Sequence, residues 1–164
     1  EKLNFLKNFG HNGHFHYELV GINGKNSEIH ASVGLVNLNY FNACLKRREN
    51  LFSIYDESLS KIGSIKIIKS SNYSYLPVVL ETEELLLKIK THLQENDIET
   101  RRYFKPSLDK LNFFEAKEKC PISNKVADNI LCLPIYDSIK ESELIKTIEI
   151  IDKVINVSDG KSKH

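Results

Sequence analysis

The sequence predicts an α/β fold in which a long linking helix precedes a small domain with a three-stranded, mainly antiparallel sheet and flanking helices. Two observations predict this fold. Apolar residues recur at helical spacing from Ser27 to about Ser60, and two short apolar runs follow with the turn residues Ser70-Ser71-Asn72 between them. The 164 residues are 41% hydrophobic and 27% charged, which is typical of a globular protein with one modest core.

The first two predicted elements are helices. The chain begins within a predicted helix that ends at residues 8–10, Asn-Phe-Gly. Asn26 or Ser27 can cap the second helix, and Glu28 favours the positive end of its dipole. The apolar positions at helical spacing are Ile29, Val33, Val36, Tyr40 and Cys44, then Leu51, Ile54, Tyr55 and Leu59. We therefore predict one long linking helix over residues 27–60, ended by Gly63.

Three segments are predicted to form the sheet. Residues 64–69 and 73–80 contain alternating or continuous apolar residues, so we predict that they form an antiparallel pair of strands joined by a short turn. Pro77 lacks a backbone N–H and therefore predicts an edge strand or a bulge. Residues 98–104 are predicted to return to the sheet as its third strand.

A helix is predicted between the second and third strands. Thr82 can cap it, and its core face carries Leu86, Ile89 and Leu93 until Asn96-Asp97 ends it.

The last third of the chain is predicted to contain two more helices. A loop over residues 106–121 leads to a short helix that begins at Ser123 or Asn124 and runs through Ile130. The final helix covers about residues 141–155, and residues 156–164 form a frayed tail.

Charge and composition exclude several classes of function. Lys and Arg number 23 against 22 Asp and Glu, and no basic block alternates with aromatic residues, so we expect no nucleic-acid partner. No apolar run approaches the roughly 20 residues of a membrane helix, and the first residues lack the pattern of a signal peptide. We expect a cytoplasmic protein without a membrane partner. The odd number of cysteines, Cys44, Cys120 and Cys132, argues against a disulfide framework.

The most informative segment is the glycine-punctuated loop over residues 21–31, Gly-Ile-Asn-Gly-Lys-Asn-Ser-Glu-Ile-His-Ala. It presents an amide and a cation side by side at Asn23 and Lys25, and then enters the long helix. Both side chains favour an anionic phosphate, and the flanking Gly21 and Gly24 permit close approach of the backbone.

This loop resembles the loop-to-helix segment of the DegT/DnrJ/StrS-type sugar aminotransferases. Further motifs match the family in the same order: Gly34-Leu35 with Asn37-Leu38, Lys46-Arg47-Arg48 before Tyr55 and Leu59, residues 101–108, residues 120–123 and residues 131–136. The resemblance covers nearly the whole chain and corresponds to roughly the C-terminal two-fifths of such an enzyme.

The resemblance implies a fold-type-I enzyme that uses pyridoxal 5'-phosphate (PLP) and works as a homodimer. Residues 1–26 would then end the large PLP domain and carry the partner-facing phosphate loop. Residues 27–60 would link the domains, and residues 61–155 would form the small C-terminal domain. Asn23 and Lys25 match the family residues that reach across the dimer to the cofactor phosphate. Lys25 departs from the arginine of many relatives, so its contact is less directional.

The resemblance also implies which functional residues lie elsewhere. The Schiff-base lysine of the family lies upstream of residues 8–10 in a motif that this sequence does not contain, so we predict no catalytic residue here. Residues 106–109, Pro-Ser-Leu-Asp, replace the Pro-Leu-His of many relatives, so the histidine contact is not carried over. His11, His14 and His16 lack the further ligands of a zinc site, and we interpret them as loop and interface residues rather than metal ligands.

Three residues are candidate substrate contacts. His30 lies one turn into the long helix, where it faces the dimer interface or is an ordinary core or surface histidine. Tyr103 and Phe104 line the sugar pocket at a strand end or pack in the core.

The resemblance implies transfer of an amino group from a donor such as glutamate to a nucleotide-linked keto-6-deoxyhexose. The expected substrate is dTDP-4-keto-6-deoxyglucose. Transamination of a C3-keto sugar is the alternative within the family, and some relatives dehydrate or act on other keto sugars. An alternative from another class is a non-catalytic α/β interaction module.

Overall fold

The computed structural model describes residues 1–112, 119–158 and 160, and these contain five α-helices and three strands. In chain order the elements are α1 (Lys2–Leu6), α2 (Glu28–Leu59), β1 (Ile65–Ile67), β2 (Leu76–Leu80), α3 (Glu83–Gln94), a 3-10 turn (Leu108–Lys110), α4 (Pro121–Asn129), β3 (Ile130–Leu133) and α5 (Glu141–Ser158). The chain divides into two units, residues 1–42 and residues 43–164. The predicted domain boundaries at residues 26 and 60 stay a prediction.

The first unit contains α1, an irregular antiparallel loop and the first part of α2. Isolated bridges join Asn8 to Asn23 and His11 to Tyr17. Gly10 has a φ of +83°, and a Cβ on it would overlap the Leu19 carbonyl. Two strands of backbone therefore meet at a position that only glycine can occupy.

Helix α2 matches the predicted long helix within a residue at each end. Ser27 caps it, because its hydroxyl accepts a hydrogen bond from the His30 amide at 3.2 Å. The apolar residues of its first part are exposed, whereas Leu51, Phe52, Tyr55 and Leu59 are buried in the second unit.

The sheet is three-stranded and antiparallel, as predicted, with the order β1-β2-β3. Its third strand is nevertheless Ile130–Leu133 and not residues 98–104. The Ile-Leu-Cys-Leu run is buried at all four positions, which is the pattern of a strand covered on both faces. The predicted strand contributes only one bridge, Arg101 to Cys132, on the outer side of β3.

Pro77 lies in the central strand, so the edge-strand prediction was wrong. The last paired residues of β1 and β2 are Ile67 and Val78, and Pro77 comes one position beyond them. There its carbonyl accepts a hydrogen bond from the Ile68 amide at 2.9 Å. The missing N–H thus falls where the β1–β2 ladder ends.

The boundaries of α1, α4 and α5 also differ from those predicted. Helix α1 ends at Leu6, before residues 8–10. Helix α4 begins at Pro121, because proline is well suited to the first turn of a helix, and it ends at Asn129 where the buried strand β3 begins. Helix α5 continues to Ser158, three residues into the predicted tail. Residues 113–118 of the predicted loop and residues 159 and 161–164 of the tail lie outside the described residues.

The core of the second unit lies between the sheet and the helices. Leu76, Val78 and Leu80 are the buried alternate positions of β2. The core faces of α2, α3 and α5 are buried in the same cluster, which includes Tyr55, Ile89 and Ile151. Thr82 caps α3 as predicted, since its hydroxyl accepts from the Leu85 amide at 3.2 Å.

Candidate functional site

The loop that carries Asn23 and Lys25 is held by backbone pairing with the end of α1. The Ile22 amide donates to the Leu6 carbonyl at 2.8 Å, the Phe9 amide to the Ile22 carbonyl at 3.0 Å, and the Gly24 amide to the Lys7 carbonyl at 2.8 Å. Gly21 lies so close to Gly10 that a Cβ would overlap its amide nitrogen. The sequence therefore folds this loop against residues that lie far from it along the chain.

Asn23 and Lys25 are both exposed. They are two residues apart on the same loop. The Lys25 Nζ donates to Asn8 Oδ1 at 3.0 Å and lies 4.4 Å from the centre of the Phe9 ring. Both the amide and the ammonium are therefore on the exposed surface of the first unit.

These donors suit a phosphate group. A lysine ammonium has three N–H donors, and Lys25 uses one of them for Asn8. Within residues 1–112, 119–158 and 160, no carboxylate forms an ion pair with Lys25. Its charge is therefore available to an external anion, and the side-chain amide of Asn23, two residues earlier on the loop, has N–H donors as well.

His30 lies in the first turn of α2 and is exposed, so it is not a core histidine of this chain. Its Nδ1 is 2.7 Å from the hydroxyl of Ser27, the same hydroxyl that caps the helix. This contact orients the His30 ring. In the sequence, His30 comes shortly after the loop that carries Asn23 and Lys25. A substrate contact by His30 stays a prediction.

Tyr103 and Phe104 lie in the second unit, just after the Arg101 bridge, and neither belongs to the core. Phe104 is 78% exposed. Tyr103 lines a surface cleft of about 410 Å³ together with Tyr75, Arg101 and Tyr136. The Arg101 Nη1 donates to the Tyr103 hydroxyl at 2.6 Å, and the rings of Tyr75 and Tyr103 meet edge to face at 5.4 Å.

A charged network that no sequence pattern predicted joins α3 and α4 to the segment after Arg101. The guanidinium of Arg102 donates to Glu83 Oε1 at 2.9 Å and to the Asp128 carbonyl at 2.5 Å. Lys105 pairs with both Glu83 and Asp128. Hydrogen bonds from Lys105 and then Arg102 lower the pKa of Glu83 below its ordinary value.

Asp109, the last residue of the Pro-Ser-Leu-Asp segment over residues 106–109, has a structural role. Its carboxylate accepts hydrogen bonds from Ser107 Oγ at 2.6 Å, Asn124 Nδ2 at 2.9 Å and the Cys120 amide at 3.2 Å. The hydrogen bonds from Ser107 and Asn124 lower its pKa. Asp109 therefore holds the start of α4, which explains why an anion suits this position.

The histidines of the first loop contact aromatic and acidic neighbours. The His11 ring lies 4.3 Å from that of Tyr17, and His16 Nε2 lies 3.5 Å from Glu18 Oε1. Over the part of the chain that the structure describes, no group of three or more His, Cys, Asp or Glu is arranged to hold a metal ion.

Among the described residues, no helix has both the length and the apolar character to cross a membrane.

Comparison with known proteins connects these features to a family. Residues 1–152 match the DegT/DnrJ/EryC1/StrS aminotransferase family. The chain is 32% identical over 162 residues to the dTDP-4-amino-4,6-dideoxy-D-glucose transaminase of Escherichia coli, covering 92% of this chain and 44% of that protein. It is 31% identical over 164 residues to the enzyme of the same name from Shigella dysenteriae, covering 94% of this chain and 45% of the relative.

The solved structures agree on the fold. The aminotransferase TlmJ from Streptoalloteichus hindustanus superposes with a TM-score of 0.84 at 18% sequence identity, over 96% of this chain and 45% of that one. The chain therefore spans less than half the length of each of these three proteins.

Proposed function

Because this chain belongs to the DegT/DnrJ/EryC1/StrS aminotransferase family, we propose that it is the C-terminal part of a PLP-dependent enzyme that aminates a nucleotide-linked keto-6-deoxyhexose. The observation that carries the proposal is the exposed pair of Asn23 and Lys25 on a loop held by backbone pairing. The proposed substrate is dTDP-4-keto-6-deoxyglucose, with glutamate as the amino donor. The similarity to two transaminases named for dTDP-4-amino-4,6-dideoxy-D-glucose supports this choice.

Asn23 and Lys25 would bind the cofactor phosphate. The amide donates one hydrogen bond and the ammonium supplies charge, and each charge-assisted bond contributes about 1.5–3 kcal/mol. When bound, PLP supplies the electron sink for transamination. The role of this chain would be to bind the phosphate of PLP and so to orient the cofactor. We propose that the lysine that binds PLP covalently lies outside these 164 residues.

A homodimer would place the loop against the partner's cofactor. The loop is exposed, and α2 enters the second unit only after a stretch of exposed apolar residues, including Ile29, Val33 and Val36. Apolar surface of this extent favours association. His30 would face the substrate from the start of that stretch.

Tyr103 and Phe104 would contact the sugar nucleotide. Because Arg101 donates a hydrogen bond to the Tyr103 hydroxyl, the hydroxyl hydrogen remains for an acceptor in the cleft. Sugar hydroxyl and phosphate oxygens are such acceptors. The exposed ring of Phe104 offers an apolar face to the deoxy side of the sugar.

The test is product formation by the whole enzyme that contains this chain. Purified enzyme, glutamate and either dTDP-4-keto-6-deoxyglucose or its C3-keto isomer are incubated, and the amino sugar and 2-oxoglutarate are followed by mass spectrometry. We expect product from the C4-keto sugar. Product from the C3-keto isomer alone would move the proposal to the C3 alternative. Product from neither sugar, with PLP shown to bind, would refute the substrate and leave the cofactor proposal standing.

A further inference from the structure

The Lys25 ammonium contacts two residues that follow α1. Asn8 Oδ1 accepts its hydrogen bond at 3.0 Å, and the Phe9 ring presents its face at 4.4 Å. The second distance is within the range of a cation–π contact. A lysine carries a point charge on a flexible four-carbon stem, so these two contacts select one position for it.

Asn8 and Phe9 are themselves held by backbone hydrogen bonds. The Asn8 amide donates to the Phe5 carbonyl at 3.0 Å, and its carbonyl accepts from the His11 amide at 3.0 Å. Asn8 also bridges to Asn23 across the loop. Phe9 has a φ of +59°, which is uncommon for a residue with a Cβ, and its amide bonds to Ile22. The two side chains that contact Lys25 thus stand on a well-anchored backbone.

We infer that Asn8 and Phe9 are positioning residues for Lys25, so that the ammonium is oriented before the cofactor phosphate binds. They supply to a lysine the directionality that an arginine has from its own planar fork. This inference rests on the proposed function, in which Lys25 binds the phosphate.

The choice of a neutral acceptor at position 8 follows from the same chemistry. An amide oxygen orients the ammonium and leaves its charge uncompensated. A carboxylate of nearly the same shape would form an ion pair with Lys25 and repel the phosphate. Asn8→Asp therefore changes the charge at this point while it preserves the size of the side chain.

The experiment measures the dissociation constant of PLP for the whole apoenzyme by absorbance titration, at two salt concentrations. We expect Asn8→Ala to weaken PLP binding about 3- to 10-fold, because Lys25 loses one of the contacts that orient it and only part of the energy of that hydrogen bond appears in PLP affinity. Asn8→Asp should weaken it further, and added salt should reduce that extra loss. Phe9→Leu, which removes the ring face, should weaken binding by less than Asn8→Ala.

A double-mutant cycle separates positioning from a structural role. The variants of Asn8 are measured again with Lys25→Met, where we expect Asn8→Ala and Asn8→Asp to have little further effect. Asn12→Ala is the matched control, since Asn12 lies in the same loop and bonds to Glu18 rather than to Lys25. It should leave PLP affinity unchanged.

Two results would overturn the inference, and they differ from each other. If Lys25→Met weakens PLP binding and Asn8→Ala weakens it equally with and without Lys25, Asn8 acts through the fold and only the positioning role fails. If Lys25→Met leaves PLP affinity unchanged, the phosphate contact itself fails and the inference fails with it. Thermal melting of each variant checks that the enzyme is folded.

Discussion

The two halves of α2 have the same apolar spacing and opposite environments. In the first unit, Ile29, Val33 and Val36 are more than half exposed. In the second unit, Leu51, Tyr55 and Leu59 are fully buried against the sheet and the neighbouring helices. Apolar residues at helical spacing therefore predict that something packs on that face of the helix. They do not tell whether this chain or another molecule does so.

The difference has a functional meaning under the proposed function. The buried half anchors the helix in the small domain, and the exposed half follows directly from the loop of Asn23 and Lys25. If the loop contacts the cofactor of a partner chain, the surface next to the loop must also contact that partner. The exposed half is therefore the part of the molecule where we expect the rest of the enzyme dimer to pack.

The largest effect, on the free energy of unfolding, is expected from replacing one leucine in the buried half of α2. The same replacement in the exposed half is the comparison. Leu51→Ala in the buried half should lower the free energy of unfolding of the isolated chain by about 2–5 kcal/mol, because it leaves a cavity in the core. Leu38→Ala is the matched control in the exposed half and should change it by less than about 0.5 kcal/mol. Urea unfolding followed by circular dichroism measures both. Equal losses at the two sites would show that the exposed half packs within the chain.

The comparison also explains which parts of the fold could be predicted. The long helix, the Thr82 cap and the antiparallel pair follow from local signals: spacing, a capping hydroxyl and turn residues. The third strand could not be placed because residues 98–104 and 130–133 both carry strand-like runs. Burial on both faces decided between them, and burial depends on packing rather than on local sequence.

The candidate site was predictable to a similar degree. Asn23 and Lys25 stand out because glycines flank them, and the structure puts both on an exposed loop. Asn8 was missed because its contact with Lys25 crosses seventeen positions and has no periodicity. The network of Arg102 and Glu83 was missed for the same reason, since α3 and the segment after Arg101 meet only in the folded chain.

A smaller effect is expected from mixed dimers, which test whether the exposed half serves a partner. One chain carries Lys25→Ala and the other lacks the lysine that binds PLP covalently. If Lys25 acts across the dimer, one site per mixed dimer combines both intact residues and recovers activity at limiting PLP. Lys25→Ala homodimers should lose about 1.5–3 kcal/mol of cofactor binding under the same conditions. Mixed dimers that form without recovering activity would place the contact within one chain.

The smallest effect concerns Glu83, Arg102 and Lys105 of the second unit, whose charges pair with one another, in contrast to Lys25 in the first. Arg102 and Lys105 hold Glu83 ionised and lower its pKa. A carboxylate whose pKa is lower in the folded state stabilises the fold above its ordinary pKa of about 4.3, and this stabilisation is lost as the pH falls through the lowered value. Glu83→Gln should therefore reduce stability at pH 7, and the difference from the unmodified chain should shrink as the pH falls below about 4.

Glu84→Gln is the matched control for this prediction, because Glu84 stands in the same first turn of α3 and pairs only with Lys88 among the described residues. Both substitutions remove one negative charge near the helix N-terminus, so the dipole contribution is common to both. The pair with Lys88 is an exposed pair four residues apart on one helix, which contributes little. Glu83 instead joins α3 to the segment that carries Tyr103, so its loss should also alter the cleft. Thermal melting from pH 3 to 7 compares the two variants, and an equal loss in both would mean that the dipole, and not the network of Arg102 and Lys105, accounts for the effect.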